Sequence, residues 1–325
     1  MKNRTRNVYM DFLKGIAILA MVIGHLVYDV PHSDVLFNII YSFHLPLLFF
    51  ISAYIEEDNR VNYTGRERLM LLKRTIGLLV PYFSWSILYA YIQGGISLDM
   101  NIESLGEILW GYDGNGLWFL LVLFGLKVMH FFYWKICRAI SRPTLPKTVL
   151  VFCLLECIVV LLALGLRQTI IINMLSYAIP YFLAILIVDF EWVRKIAESE
   201  WMAAGVILIY VAVFPFFSFY NTHWTTQVIR TGLSLCVIII CWKLQGIWTL
   251  SGWNKAICYF GKYSLPIYLM HWFFIDGKTY LYGIDSAFVV LILSVILAFI
   301  IALVCVVIAK LVECSSWWTK ILFGK

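Results

Sequence analysis

The chain has 325 residues, of which 62% are hydrophobic and 14% are charged, with a net charge of +6. Because a soluble domain has roughly 25% charged residues, this composition excludes soluble, disordered and nucleic-acid-binding proteins. The apolar runs are continuous rather than alternating, which excludes a transmembrane β-barrel. The composition therefore predicts an all-α polytopic membrane protein.

Ten apolar segments follow one another along the chain, each close to the roughly 20 residues that a membrane-spanning helix needs. They cover residues 8–28, 35–54, 69–92, 117–134, 148–166, 170–189, 202–220, 226–244, 257–276 and 287–311. No segment outside them has the composition of a soluble domain. We therefore expect one integral-membrane domain over residues 1–325 with about ten transmembrane helices.

The basic residues predict the orientation of these helices. If the N-terminus is cytosolic, 20 of the 25 lysines and arginines fall in cytosolic loops, at their flanks or at the chain ends. Only Arg167 and Lys278 fall in outer loops, and Lys14, Lys127 and Arg230 remain within spans. Such a bias is the positive-inside pattern. It predicts that both termini are cytosolic.

The first segment carries three ionisable residues, Asp11, Lys14 and His25. At about 100° per residue, Lys14 and His25 are about 20° from eclipsed, and Asp11 lies within about 60° of both. Lys14 is near the cytosolic side, and His25 lies about 16 Å further toward the outside. Lys14 has an ordinary alternative, in which it reaches the interface and pairs with Asp11. The ring of His25 is short and reaches the interface poorly, which favours a functional role over a structural one.

The second and third segments carry further candidates. His44 lies near mid-membrane, two residues before Pro46. It is either functional or simply hydrogen-bonded to a backbone carbonyl that the proline leaves free. Lys73 and Arg74 open the third segment on the cytosolic side. They either bind an anion there or are ordinary positive-inside charges.

Two candidates lie toward the outer face. Trp118 begins the fourth segment and is either functional or an aromatic-belt anchor. His271 lies toward the outer end of the ninth segment and is either functional or a satisfied interfacial histidine. The longest outer loop, about 93–116, is Gly-rich and acidic, and its stretch 102–110 has the character of an interfacial helix.

Four motifs in chain order resemble one family. The first is a basic residue ten positions before a histidine, here Lys14 and His25. The second is the aromatic stretch 46–54, which is similar to "PLFFFISGY" with alanine in place of the glycine. The third is the basic opening of the third segment, followed by Pro-Tyr at 81–82 and Leu-Trp-Phe-Leu at 117–120. The fourth is the stretch 263–271, which is similar to "SLxIYLxH".

With these motifs the chain resembles the membrane-bound acyltransferase-3 family, bacterial enzymes that O-acylate cell-surface sugars. The resemblance implies acyl-CoA, expected to be acetyl-CoA, as donor substrate and a sugar or polysaccharide hydroxyl as acceptor. It implies no permanently bound cofactor, and the sequence shows no metal-binding motif. The expected location is the bacterial inner membrane. The implied activity is that of an O-acetyltransferase of the cell envelope.

The resemblance also implies roles for the candidate residues. Lys14, Lys73 and Arg74 are expected to bind the phosphates of the donor, with Asp11 neutralising Lys14 when no donor is bound. His25 is expected to act as general base or to carry the acyl group as acyl-imidazole.

The remaining candidates assist the base or bind the acceptor. His44 and His271 are expected to assist His25, orient the acceptor or stabilise the oxyanion. Trp118 and the loop 93–116 are expected to contact the acceptor sugar. Two alternatives remain, a transporter of a lipid-linked sugar or acyl group without catalysis, and a scaffold subunit with degenerate catalytic residues.

Overall fold

A computed structural model describes residues 7–60, 67–92, 116–139, 144–166, 169–221, 224–250 and 252–325. Regular structure within these ranges is helical, without a strand. The α-helices are α1 (Val8–Leu26), α2 (Asp34–Asp58), α3 (Glu67–Ile92), α4 (Trp118–Ala139), α5 (Leu145–Leu166), α6 (Thr169–Asp189), α7 (Glu191–Ala197), α8 (Glu200–Val213), α9 (Trp224–Leu244), α10 (Gly252–Lys262), α11 (Ser264–Met270), α12 (Ala287–Glu313) and α13 (Ser316–Phe323). Two 3₁₀ helices cover Phe214–Phe216 and His271–Leu281.

The length and hydropathy of these helices confirm an all-α polytopic membrane protein. Among the described residues, seven helices are long and apolar enough to cross a membrane, namely α1, α2, α4, α5, α6, α9 and α12. The pair formed by α7 and by α8 with its 3₁₀ extension, bent by 59°, is an eighth candidate. The count of ten spans and the cytosolic termini stay predictions.

The ninth predicted segment differs from the expectation. A continuous helix over 257–276 is wrong, because α10 ends at Lys262, α11 begins at Ser264 and a 3₁₀ helix follows from His271. Tyr263, between the two α-helices, has φ −101° and ψ 18°. Pro266 lacks a backbone N–H, so it cannot donate the next hydrogen bond of a helix that continues from α10. In the first turn of a new helix this lack costs nothing, because the backbone N–H groups there have no intrahelical partner. The proline therefore favours a break immediately before it.

Residues 1–58 and 180–310 form one compact unit, of which the structure describes residues 7–58 and most of 180–310. Its centre is α1, which packs on α10 and α2 and also contacts α11 and the 3₁₀ helix His271–Leu281. On its far side α2 packs on α9, which in turn packs on α8. The side chain of Asn7 caps α1 by accepting from the Met10 backbone N–H at 3.3 Å. All three candidate histidines lie in this unit.

Two glycines allow α1 and α10 to cross at very short range. A Cβ added at Gly261 would lie 2.8 Å from the carbonyl carbon of Asp11, 2.9 Å from the backbone nitrogen of Gly15, and closer still to the Asp11 carbonyl oxygen. A Cβ added at Gly15 would lie 2.7 Å from Ile257 Cγ2 and closer to the Ile257 carbonyl oxygen. Small residues at a helix crossing allow such backbone approach in membranes. The crossing therefore sets the position of the α1 segment that carries Asp11 and Lys14.

The described residues within 59–179 and 311–325 form the second compact unit. In it α3 packs on α4 and on the C-terminal helix α13, and α4 also packs on α5. Trp85 on α3 donates from Nε1 to the carbonyl of Leu322 at 2.8 Å. Gly324 ends α13 with φ +66°, and a Cβ there would lie 2.6 Å from the Cα of Gly77. Helix α13, which hydropathy did not predict, is therefore closely packed against α3.

Candidate active site

The three ionisable residues of α1 lie on one uninterrupted helix. Val8–Leu26 is α-helical throughout, so the predicted shared face of Asp11, Lys14 and His25 and their separation along the axis follow from helix geometry. Asp11 is buried, with 2% of its surface exposed, next to the Gly261 crossing. Lys14 and His25 are half-buried.

His25 lies among aromatic and imidazole rings from two other elements. The hydroxyl of Tyr41 on α2 is 3.3 Å from its Nδ1. The ring centroids of His271 and Trp272 lie 5.3 Å and 4.6 Å from the His25 centroid. Gly24 makes room for α2, because a Cβ there would lie 3.0 Å from the Tyr41 ring. Two of the three predicted histidines, His25 and His271, therefore come together.

His271 is fully buried, and one of its nitrogens is held by the backbone. Its Nδ1 lies 2.7 Å from the carbonyl oxygen of Tyr268 and 3.2 Å from that of Ile267. His271 caps the C-terminal end of α11, and its backbone N–H donates to the carbonyl of Ile267, one of the two oxygens that face Nδ1. The last turn of α11 thus holds this ring. Its Nε2 is buried and has no hydrogen-bond partner among the described residues.

His44 is also buried, with 2% of its surface exposed, and its Nδ1 lies 2.7 Å from the carbonyl oxygen of Ile40. This carbonyl is one turn before His44 and is not that of Ser42, which Pro46 leaves without its helical donor. The ring of Tyr41 lies 4.8 Å from His44 and 6.2 Å from His25, centroid to centroid. Tyr41 therefore links His44 to the pair formed by His25 and His271.

The hydrogen bonds decide what each histidine can do. A carbonyl oxygen only accepts, so Nδ1 of His44 and of His271 must carry the proton. In their neutral forms both rings then have a lone pair at Nε2, which accepts a proton but cannot donate a hydrogen bond to an oxyanion. The Tyr41 hydroxyl beside Nδ1 of His25 both donates and accepts. His25 is therefore the one of the three histidines whose tautomer these contacts leave open.

The other predicted site residues belong to the second unit. On α3, Lys73 is exposed and Arg74 is half-buried. Trp118 begins α4 and stacks on Tyr177, with centroids 6.0 Å apart and an interplanar angle of 26°. The helix expected at 102–110, and the acceptor loop except for Gly116, lie outside the described residues. The roles of Lys73, Arg74 and Trp118 stay predictions.

Sequence reasoning missed the aromatic neighbours of His25. Tyr41 precedes His44 by three residues, so the two share a helix face, and Trp272 follows His271 directly. Both spacings are visible in the sequence. What the sequence does not show is that these residues meet α1.

A second missed feature is a groove of about 710 Å³ in the first unit. It contains Tyr54, which lies further along α2 than Tyr41 by 13 residues, or about 20 Å. Arg194 and Lys243 contribute cations to it, and Trp242 lies 5.3 Å from Tyr54, centroid to centroid. Lys243 also contacts Glu200 at 2.6 Å. The sequence identified these cations only as part of the positive-inside pattern.

A family model described as an acyltransferase domain matches residues 7–310, nearly the whole chain. Among curated proteins, nodulation protein NolL of Sinorhizobium fredii is 31% identical over 90 residues. That similarity covers 26% of this chain and 24% of NolL, so the chain matches about a quarter of the length of this relative. No solved structure matches the chain.

Proposed function

The chain belongs to the acyltransferase-3 family and is a multi-pass membrane acyltransferase, and from this premise we propose its reaction. It transfers an acyl group from cytosolic acyl-CoA to a hydroxyl of a cell-surface or lipid-linked sugar at the bacterial inner membrane. The acyl group that we propose is acetyl. One observation carries the proposal. The ring of His25 lies 5.3 Å, centroid to centroid, from that of His271, whose Nε2 has no hydrogen-bond partner among the described residues, and the N-terminal half of the same helix α1 carries Lys14.

The donor enters from the cytosolic side in this proposal. Its phosphates are polyanionic and suit Lys14, Lys73 and Arg74, while Asp11 neutralises Lys14 in the empty enzyme. The rise of about 16 Å between Lys14 and His25 then leaves room for an extended arm that ends in the thioester. The support for this path is the position of Lys14 and His25 on one face of α1.

The transfer step uses His25 as general base. The acceptor oxygen bonds to the thioester carbonyl carbon, the carbon–sulfur bond breaks, and the hydroxyl proton goes to His25 and then to the leaving thiolate. Nε2 of His25 is able to accept this proton only when the neutral ring carries its own proton on Nδ1. That Nδ1–H then donates a hydrogen bond to the Tyr41 hydroxyl. The lone pair of His271 Nε2 offers a second place for the proton. An acyl-imidazole on His25 is the alternative route.

The test uses purified protein in liposomes with acetyl-CoA labelled on the acetyl group. We expect thiol release and label in a supplied glycan, both lowered about 100- to 10,000-fold by His25→Ala, the range for loss of a general base. His32→Asn is the matched control, since His32 is exposed and Asn tolerates its φ of +64°. Near-wild-type transfer by His25→Ala would remove the assigned base.

The same assay separates the alternatives. A transporter would move a lipid-linked sugar or acyl group without releasing thiol, and a scaffold would tolerate loss of His25. Neither alternative has a structural observation in its favour, and the family match supports catalysis.

A further inference from the structure

Five aromatic rings of the first unit form a cluster, the aromatic shelf, at the end of the unit where His25 lies. They come from three segments: the residues after α1, the first turns of α2, and the residues after the 3₁₀ helix Phe214–Phe216. The rings belong to Tyr28, Phe37, Tyr41, Phe219 and Tyr220. The distribution of basic residues predicts that this end faces outward.

The shelf runs from the surface to His25. Tyr28 and Tyr220 are 39% and 47% exposed, with ring centroids 6.3 Å apart. Both contact the fully buried Phe37, on which Tyr220 stacks at 5.3 Å with an interplanar angle of 19°. Phe37 lies 4.1 Å from Tyr41, whose hydroxyl contacts His25. The exposed pair therefore lies two rings away from the proposed base.

Polar groups hold the exposed rim in place. Asp29 has a left-handed backbone with φ +59° and is exposed, and its Oδ1 lies 3.4 Å from the Tyr220 hydroxyl. The pKa of Tyr220 is raised first by partial burial of the phenol and then by the nearby Asp29 carboxylate. Its hydroxyl therefore stays protonated at neutral pH. Asn38 accepts from the Phe219 backbone N–H at 3.0 Å. Lys278 places its ammonium 5.5 Å from the centroid of Tyr28.

We propose that Tyr28, Asp29 and Tyr220 form a subsite for one neutral pyranose ring of the acceptor, an inference that rests on the proposed function. A pyranose has an apolar C–H face and a rim of hydroxyls. The apolar C–H face packs against half-exposed aromatic rings, and the hydroxyls donate charge-assisted hydrogen bonds to a carboxylate. Two carboxylates, Asp29 and Asp34, act on Tyr220, and one cation, Lys278, lies near Tyr28, which favours a neutral sugar over an acidic one. Tyrosines that served only as membrane-interface anchors would need no such carboxylate beside them.

The experiment measures sugar binding directly, without any acyl donor. The protein in lipid nanodiscs is mixed with methyl glycosides of glucose, galactose, mannose and N-acetylglucosamine, and saturation transfer to the ring C–H protons is recorded by NMR. We expect transfer to at least one glycoside, weakened about tenfold by the double change Tyr28→Leu and Tyr220→Leu. Tyr280→Leu, a residue 83% exposed on the neighbouring 3₁₀ helix, is the matched control and should leave it unchanged.

Asp29→Asn is the second variant, because Asn tolerates the left-handed backbone while lacking the negative charge. It should weaken the same saturation-transfer signal. If the double variant does not fold, this single variant tests the subsite. Equal transfer in wild type and in the folded variants, or no transfer from any glycoside to wild type, would overturn the subsite. Thiol release from acyl-CoA is scored separately. Sugar binding without thiol release defeats the proposed function, whereas thiol release with unaltered sugar binding in the variants defeats the subsite alone.

Discussion

Replacement of Gly261 by alanine tests whether the crossing of α1 and α10 positions the catalytic helix. The added Cβ would lie 2.8 Å and 2.9 Å from backbone atoms of Asp11 and Gly15, whereas ordinary contacts begin at 3.4 Å. The helices must therefore separate by at least about 0.6 Å, and by more to clear the Asp11 carbonyl oxygen. Because the contacted atoms of Asp11 and Gly15 belong to the backbone, no side-chain rotation relieves the contact.

The expected consequences are a loss of stability and a larger loss of activity. Overpacking of this kind costs about 1–3 kcal/mol. The displaced helix carries Lys14 and His25, and a misplacement of about 1 Å lowers a rate about a hundredfold. We therefore expect Gly261→Ala to lower acyl transfer about a hundredfold in whatever fraction of the protein still folds.

The assay combines thermal unfolding in detergent with the rate of thiol release per folded protein. The matched controls are Gly205→Ala on α8 and Gly232→Ala on α9, since a Cβ at either position meets nothing within 4 Å. Alanine is favoured over glycine in a helix by about 1 kcal/mol, so both controls should be at least as stable as wild type. If the Gly261→Ala protein had the same thermal unfolding midpoint and the same rate of thiol release as these controls, the assigned role of the crossing would be refuted.

Two further predictions concern the site itself. Tyr41→Phe removes the hydroxyl beside His25 and should lower kcat about tenfold to a hundredfold and shift its pH profile, because a hydrogen bond to a charged group contributes about 1.5–3 kcal/mol. Tyr210→Phe, which removes a hydroxyl 3.1 Å from Ser42 Oγ, is its control, and equal rates in the two variants would contradict the assignment. Lys14→Ala should raise the apparent KM for acetyl-CoA with kcat little changed, since Lys14 is expected to bind donor phosphate. Lys195→Ala, a cation with 71% side-chain exposure, should not, and an unchanged KM in Lys14→Ala would rule out that contact.

The membrane class and the face of α1 were predictable because both follow from local properties of the chain. Hydropathy over about 20 residues identifies a span, and the helical period places Lys14 and His25 on one side of α1 wherever that helix packs. The motifs that resemble the acyltransferase-3 family were equally local, and the family match confirms the membership that they indicated.

The break after Lys262 and the helix α13 were not predicted. Hydropathy treats 257–276 as one continuous run, although Pro266 restricts which residues share a helix with those before it. The carbonyls that face Nδ1 of His271 belong to the last turn of α11, so the position of that ring depends on where this short helix ends, which hydropathy averages away. The short α13 is stabilised by its packing on α3 and by the Trp85 hydrogen bond to its C-terminal turn rather than by its own length.

The sequence alone determined that the protein is helical, lies in a membrane and carries a cation and an imidazole on one face of its first helix. Tertiary structure decided which groups meet that imidazole, namely Tyr41 from α2 and the ring of His271 from the broken ninth segment. The physical reason is that side-chain periodicity acts within one helix. Contacts between helices depend on how closely two backbones approach, as they do at Gly15 and Gly261.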